Sequence, residues 1–97
     1  MNMDIENLFK IIDERSKLGN KSSSYTKKLL KQGSKKIAQK FGEEANELII
    51  DYLKGSKKRT IEEASDVIYH LFVLLKSKRI NLNDIKKELS KRQKNVR

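Results

Sequence analysis

Apolar residues recur along the chain at helical spacing, and no stretch alternates with the period of a strand. Residues 4–18, 35–54 and 81–93 each carry apolar side chains three and four positions apart. Residues 57–78 are apolar on nearly every side after Asp66, which is typical of a buried helix. The pattern predicts an all-α protein with four helices packed into a bundle.

Turn-forming residues separate these segments. Residues 19–24, with one Gly, one Asn and three Ser, are turn-forming and predict a loop, followed by a short helical turn over residues 25–32. Gly33 ends that turn, and Gly55 ends the second long helix as a glycine at the C′ position. The predicted caps are Asp4 or Asn2 for the first helix, Ser24 or Thr26 for the turn, Ser34 for the second helix, and Asn81 with Asp84 as a capping box for the last. Residues 94–97 are expected to fray.

The chain has 97 residues, the size of one domain, and residues 1–97 are predicted to form a single one. So short a chain has a thin core. Covering the helix over residues 57–78 on every side takes more apolar surface than the other helices offer. We therefore expect a homodimer that completes the bundle through this helix.

The composition limits the cellular compartments and the kinds of reactive site that the chain can have. The chain contains no Cys, which excludes disulfides and thiolate sites. Its longest strongly apolar stretch, residues 67–75, is far shorter than the roughly 20 residues that span a bilayer. The first residues lack the basic and apolar regions of a secretory signal. These features predict a cytoplasmic protein that does not enter membranes.

The net charge of +10 suggests a polyanionic partner. Most of the basic residues are Lys, however, which is equally typical of a solvated surface. Aromatic residues are not interleaved with the basic ones, and no nucleic-acid-binding motif is present. The charge therefore does not favour nucleic acid as the partner.

Five of the thirteen acidic residues lie in two short motifs: Glu43, Glu44 and Glu47 in the second long helix, and Glu63 and Asp66 in the third. At about 100° per residue, the members of each motif project from one side of their helix. Either motif alone is typical of a solvated helix surface. Like charges at this spacing destabilise a helix by a few tenths of a kcal/mol per pair, however, and no lysine stands within either motif.

The two motifs are expected to face each other, because a connection of only a few residues around Gly55 makes the two helices antiparallel neighbours. Carboxylates that meet in this way share protons or bind a cation. Oxygen ligands without Cys favour Mg²⁺ or Mn²⁺ over zinc. The motifs therefore predict a Mg²⁺ site.

Mg²⁺ held by carboxylates commonly meets phosphate oxygens. The chain has no glycine-rich phosphate loop, so basic side chains must contact the remaining phosphates. The candidates are Lys36, Lys40, Arg15 and Lys28.

Four segments together resemble the phosphoribosyl-ATP pyrophosphohydrolase family of the all-α nucleoside triphosphate pyrophosphohydrolase superfamily. The superfamily motif is E-E-x-x-E followed by E-x-x-D, and the five acids match it. The family segments are Ser24-Tyr25-Thr26-x-x-Leu29-Leu30, Lys36-Ile37-x-Gln39-Lys40-x-Gly42-Glu43-Glu44, Ala64-x-Asp66-x-x-Tyr69-His70-Leu71-x-Val73-Leu74-Leu75, and Asn81-Leu82-x-Asp84-Ile85-x-x-Glu88-Leu89-x-x-Arg92. The resemblance covers about residues 5–93.

This resemblance implies hydrolysis of the α–β phosphoanhydride of phosphoribosyl-ATP to phosphoribosyl-AMP and pyrophosphate, the second step of histidine biosynthesis. It also implies Mg²⁺ as the cofactor and a homodimer. The implied metal ligands are Glu43, Glu44, Glu47, Glu63 and Asp66, with Glu44 and Glu47 as catalytic residues and Glu44 as the general base. The implied substrate contacts are Ser24, Tyr25, Thr26, Lys36 and Lys40.

His70 has two interpretations: a hydrogen-bonding group beside the carboxylates, or a residue packed in the dimer core. The structural role is favoured, because imidazole is a poorer ligand for Mg²⁺ than oxygen. The loop before Ser24 lacks the proline often found there in the family, which leaves its contacts open. The chain has neither the length nor the Cys ligands for a fused zinc cyclohydrolase, so a monofunctional enzyme is expected.

The sequence is also compatible with two other functions. A housekeeping pyrophosphohydrolase of nucleoside triphosphates would use the same acids, but the segments around Tyr25 and His70 favour phosphoribosyl-ATP. A non-enzymatic basic helical module would bind nucleic acid or another anionic partner, yet it gives five clustered acids no role.

Overall fold

The computed structural model describes residues 3–17 and 24–93. Within these ranges the chain forms five helices and no strand: α1 (Ile5–Ser16), α2 (Tyr25–Lys31), α3 (Ser34–Lys54), α4 (Lys57–Ser77) and α5 (Leu82–Lys91). The all-α class is confirmed, and the four predicted helices agree with α1, α3, α4 and α5 to within two residues at each end. The predicted turn is a helix of its own, so the described residues hold five helices rather than four. The predictions for residues 19–23 of the loop, for Asn2 and for residues 94–97 lie outside the described residues.

Side chains cap four of these helices. Asp4 accepts a hydrogen bond from the backbone of Asn7 at 2.7 Å, and Ser24 caps α2. Asn81 and Asp84 form the predicted capping box at the start of α5. The prediction that Ser34 caps α3 is wrong, because Ser34 is already helical. The cap position belongs to Gly33, whose φ of +93° is a left-handed conformation that favours glycine.

Gly55 ends α3 for a different reason from the one predicted. Its backbone is extended rather than left-handed. A Cβ atom at this position would lie 2.9 Å from the carbonyl oxygen of Asp51, so the close approach of the preceding turn requires glycine. Ser56 then caps α4, which runs back along α3 and forms with it the most extensive helix pair of the fold.

The core lies between α4 and the first three helices. Its buried residues are Phe9 and Ile12 of α1, Leu29 of α2, Ile37 of α3, and Phe72 and Val73 of α4. Phe72 meets Phe9 edge to face, with ring centroids 5.3 Å apart. One chain therefore covers this side of α4 by itself, and dimerisation through the rest of α4 stays a prediction. Helix α5 adds Leu82 to the rim of the core and an ion pair between Lys86 and Glu6.

The apolar side chains near the turn between α3 and α4 stay in solvent. We call them the apolar surface: Ile49, Ile50, Tyr52 and Leu53 of α3 and Ile61 of α4, each between 50% and 74% exposed. Three of these residues belong to the apolar face predicted for α3, and no other helix of the described chain covers them. No described helix has the length and apolarity to cross a membrane. The cytoplasmic location stays a prediction.

Candidate active site

Three of the five predicted acids come together where α3 and α4 face each other. Glu44, Glu63 and Asp66, which we call the carboxylate cluster, each place one oxygen within 4.8 Å of the other two. Glu63 and Asp66 lie one turn apart on the same side of α4, and the antiparallel packing brings Glu44 of α3 opposite them. Glu63 is buried, Glu44 is half-buried and Asp66 is exposed, so the cluster has a closed floor and an open mouth.

Glu63 has two oxygens in different situations. Its Oε1 accepts a hydrogen bond from Arg59 Nη2 at 2.6 Å. Its Oε2 is buried and has no hydrogen-bond partner among the described residues. A buried acceptor without a partner is costly, by roughly 1–3 kcal/mol and more for a charged group. A cation would satisfy this oxygen, and a set of carboxylate oxygens is the donor chemistry that Mg²⁺ prefers.

Glu44 is the most strongly perturbed acid of the cluster. Burial first, then the negative charge of Glu47, a hydrogen bond to Glu63 that requires a protonated Glu44, and the charges of Asp66 and Glu63 raise the pKa of Glu44 from 4.5 to about 7. A carboxyl group in this range exchanges protons near neutral pH, as a general base or acid must. A bound cation would favour the ionised form instead.

Glu43 and Glu47 do not join the cluster in this structure. Glu43 is exposed, accepts a hydrogen bond from Gln39 Nε2 at 2.9 Å and pairs with Lys40 at 3.5 Å. These two partners hold the pKa of Glu43 below its usual value. Glu47 is exposed and acts on Glu44 through its charge. Their roles as metal ligands, and that of Glu47 as a catalytic residue, stay predictions.

Two of the five acids, Glu43 and Glu63, have a basic partner outside the motifs. Lys40 lies three residues before Glu43, and Arg59 lies four residues before Glu63, so each cation reaches an acid from the adjacent helical turn. Arg59 is the residue of this site that the sequence reasoning missed. The i,i+4 spacing between Arg59 and Glu63 is the sequence signal that would have predicted this ion pair.

An aromatic group lies beside the cluster. The rings of Tyr25 and Tyr69 stack with centroids 6.2 Å apart, and the hydroxyl of Tyr25 is 3.4 Å from His70 Nε2. His70 Nδ1 lies 2.8 Å from the carbonyl oxygen of Asp66. Because a carbonyl only accepts, Nδ1 carries the proton, and in the neutral ring Nε2 accepts from Tyr25. The buried His70 thus packs within the chain and bonds the backbone, rather than the carboxylate, of an acid of the cluster.

The predicted substrate contacts fall into two groups. Ser24 caps α2, and the buried Thr26 forms a 2.5 Å hydrogen bond with the hydroxyl of Tyr69, so both have structural roles in α2. Tyr25, Lys36 and Lys40 remain accessible in part. The nearby hydroxyl of Tyr25 and the pair with Glu43 raise the pKa of Lys40, which stays a cation beside the cluster. Direct contact of these five residues with substrate stays a prediction.

Comparisons with known proteins identify the relatives of this chain. A family model described as phosphoribosyl-ATP pyrophosphohydrolase matches residues 5–93. The chain is 44% identical over 96 residues to the histidine biosynthesis bifunctional protein HisIE of Staphylococcus epidermidis, covering 94% of this chain and 46% of that protein. It is 46% identical over 90 residues to a phosphoribosyl-ATP pyrophosphatase of Sulfolobus acidocaldarius, covering 93% and 94% of the two chains. A protein of the same name from Clostridium novyi is 45% identical over 92 residues, covering 95% and 83%.

These relatives differ in length. The chain spans about half of the bifunctional staphylococcal protein and nearly the whole of the Sulfolobus protein. The family match, by contrast, extends over most of this chain and includes all three residues of the carboxylate cluster. The chain belongs to the phosphoribosyl-ATP pyrophosphohydrolase family.

Proposed function

We propose that the protein hydrolyses the α–β phosphoanhydride of phosphoribosyl-ATP to phosphoribosyl-AMP and pyrophosphate, the second step of histidine biosynthesis. The observation that carries the proposal is the carboxylate cluster, in which Glu63 presents a buried oxygen without a partner. Membership of the family and the names of the relatives support the choice of substrate. We also propose that residues 1–97 form a single domain, since four of the helices share one core.

The proposed cofactor is Mg²⁺, held by Glu44, Glu63 and Asp66. Glu43 and Glu47 are proposed as further ligands, each of which would need to turn its side chain toward the cluster. When bound, the cation neutralises negative charge on the phosphoanhydride oxygens. The open mouth at Asp66 gives the phosphates access to the site, and the buried Glu63 keeps bulk water from its floor.

Glu44 is the proposed general base. Its carboxylate takes a proton from the attacking water, the water oxygen bonds to phosphorus, and the bond between the α and β phosphates breaks as pyrophosphate leaves. The pKa of Glu44 is about 7 in the metal-free site, and a bound cation would favour the ionised carboxylate, which is the form that accepts a proton. The charge of Glu47, close enough to raise that pKa, supports a catalytic role for Glu47 through Glu44.

Basic and polar groups around the mouth are proposed to bind the rest of the substrate. Lys40 lies beside Glu43 and Tyr25, and Lys36 is exposed one helical turn before it on α3. Both are placed to meet phosphate oxygens. Tyr25 offers an exposed ring face, while Ser24 and Thr26 fix the start of the helix that presents it.

The reaction is tested by incubating the protein with phosphoribosyl-ATP or a deoxynucleoside triphosphate, with and without Mg²⁺, and identifying the phosphate product. We expect Mg²⁺-dependent release of pyrophosphate from phosphoribosyl-ATP. Glu63→Gln should remove most activity, whereas Glu88→Gln, on the exposed face of α5, should leave it unchanged. Orthophosphate as the first product, or full activity in excess chelator, would refute the proposal. Equal activity on deoxynucleoside triphosphates would favour the housekeeping alternative.

A homodimer is proposed as the functional form. The apolar surface near the α3–α4 turn is the face that supports it, because large exposed apolar patches commonly mark protein interfaces. Leu53→Lys should shift the mass in light scattering from twice 11.3 kDa toward 11.3 kDa. Leu89→Lys, on a leucine of α5 that is 60% exposed against 70% for Leu53, is the control and should keep the dimer. A wild-type protein with the mass of a single chain would exclude the dimer.

A further inference from the structure

Arg59 contacts three carboxylates around the turn between α3 and α4. Its Nη2 lies 2.6 Å from Glu63 Oε1 and 3.6 Å from Asp51 Oδ2, and its Nη1 lies 2.7 Å from Glu62 Oε1. The Arg59 side chain is 52% exposed, whereas that of Glu63 is 5% exposed. The guanidinium therefore reaches from the surface to a carboxylate that is nearly enclosed.

The backbone around Arg59 is held firmly. Ser56 Oγ accepts a hydrogen bond from the Arg59 backbone at 3.1 Å, which caps α4 at this residue. The hydroxyl of Thr60 donates to the carbonyl oxygen of Ser56 at 2.9 Å and lies 3.2 Å from that of Asp51, at the end of α3. The two arms of the guanidinium then contact Glu62 and Glu63 separately, a forked geometry that an ammonium group cannot reproduce.

The hydrogen bond from Arg59 makes the two oxygens of Glu63 inequivalent. The terminal torsion of a free Glu side chain is broad, so either oxygen could face the cluster. With Oε1 held by Arg59, only Oε2 remains without a partner. We propose that Arg59 is a positioning residue that locks the Glu63 carboxylate so that Oε2 faces the divalent cation of the proposed function, on which this inference rests.

The direction in which metal affinity changes when Arg59 is removed distinguishes a positioning role from a simple effect of its charge. A positive charge near a cation site repels the cation, so removing Arg59 would strengthen metal binding if charge were its only effect. A positioning residue has the opposite effect, because its loss frees the ligand to turn away. Loss of groups that orient metal ligands typically weakens metal binding by about 10–100-fold.

The experiment is titration of the metal-free 97-residue chain with Mn²⁺, followed by the paramagnetic signal of free Mn²⁺. Arg59→Met should weaken Mn²⁺ binding about tenfold or more. Arg59→Lys loses the fork but can keep one hydrogen bond to Glu63 Oε1, so it should weaken binding less. Arg92→Met is the matched control, since Arg92 makes a similar 2.7 Å pair with Glu88 on α5, and it should bind Mn²⁺ as the wild type does. The Mg²⁺ concentration for half-maximal activity should rise from the wild type to Arg59→Lys and further to Arg59→Met.

Unchanged or tighter Mn²⁺ binding by Arg59→Met overturns the proposal. If circular dichroism shows that this variant does not fold, Arg59→Lys decides instead, with weaker binding supporting the proposal and unchanged binding overturning it. A wild-type chain that binds no Mn²⁺ would reject the proposed metal site and the role of Arg59 with it. Wild-type binding and activity, together with an unaltered Arg59→Met, would reject the role of Arg59 alone.

Discussion

Replacing Glu44 by Gln tests whether the carboxylate cluster is a site of electrostatic repulsion when no metal is bound. Gln keeps the shape of the side chain and its capacity to hydrogen-bond, but it cannot ionise. In the wild type, the pKa of Glu44 is about 7 in the folded state and 4.5 in the unfolded chain. The folded state therefore binds this proton more tightly than the unfolded chain does.

The sign of the pH dependence follows from that difference. Below pH 4.5 the group is protonated in both states, and its contribution to the free energy of unfolding is fully present. As the pH rises from 4.5 through 7, the unfolded chain ionises first and the contribution is lost. The metal-free wild type should thus become less stable between pH 5 and 8, whereas Glu44→Gln should not show this loss.

The pKa values set an upper bound on the effect. At about 1.36 kcal/mol per pKa unit, a rise from 4.5 to about 7 corresponds to roughly 3 kcal/mol. Glu44 is only half-buried, and solvent screening reduces the expected difference to about 1–2 kcal/mol. For a domain of this size, each kcal/mol shifts the melting temperature by about 4–8 °C.

Thermal melting of metal-free wild type, Glu44→Gln and Glu88→Gln at pH 5 and pH 8 is the assay. Glu44→Gln should gain about 5–15 °C over the wild type at pH 8 and little at pH 5, and Glu88→Gln should follow the wild type. Saturating Mg²⁺ should stabilise the wild type at pH 8, by about 2.7 kcal/mol at a hundred times Kd, and should act less on Glu44→Gln. Parallel pH dependence of wild type and Glu44→Gln without metal would refute the reasoning, because Glu44 would then ionise as an ordinary carboxyl group.

Three further substitutions test the packing, each measured by urea or thermal unfolding. Gly42→Ala should stabilise α3 by up to about 1 kcal/mol, since a Cβ there meets nothing within 4 Å. A loss of stability would contradict the open space beside Gly42. Gly55→Ala should cost about 1–3 kcal/mol, because its Cβ would lie 2.9 Å from a backbone oxygen, and a neutral result would contradict the close approach. Phe72→Ala should cost about 3–5 kcal/mol even at high dilution, since one chain buries this ring, and a cost that disappears on dilution would instead place Phe72 in an interface.

The helices were predictable because local signals agree with the tertiary fold. The signals act over a few residues and can therefore be recognised in the sequence: apolar spacing, the Asn81 capping box and the break at Gly55. Ser34 failed as a cap because Gly33 takes a left-handed conformation that starts α3 one residue earlier. A serine after a glycine offers no sequence signal that separates these two arrangements.

The acids of the site were identifiable, but their grouping was not. Helical geometry puts Glu43, Glu44 and Glu47 on one side of α3, while distances of a few ångströms depend on the register of α3 against α4. Side-chain competition then decides the outcome. Glu43 turns toward Gln39 and Lys40 on its own helix, and this leaves Glu44 to face α4.

Apolar patterning likewise predicted which faces are apolar but not what covers them. Phe72 and Leu53 both lie on predicted apolar faces, yet the first is 5% exposed and the second 70%. The difference arises because α1 and α2 pack near Phe72, while none of the other described helices covers the end of α3. Burial in a small fold depends on the number of elements as much as on the pattern of each one.

The distribution of cations explains how a chain with a net charge of +10 maintains an acidic site. Lys40 pairs with the exposed Glu43, and Arg59 engages one oxygen of Glu63, so neither cation fills the space inside the carboxylate cluster. A lysine within the cluster would satisfy the Glu63 oxygen and lower the pKa of Glu44, which would remove both the cation site and the proposed base. The cost of the arrangement is repulsion in the metal-free state. The advantage is that basic side chains at the rim and a divalent cation at the centre can act on the same polyphosphate.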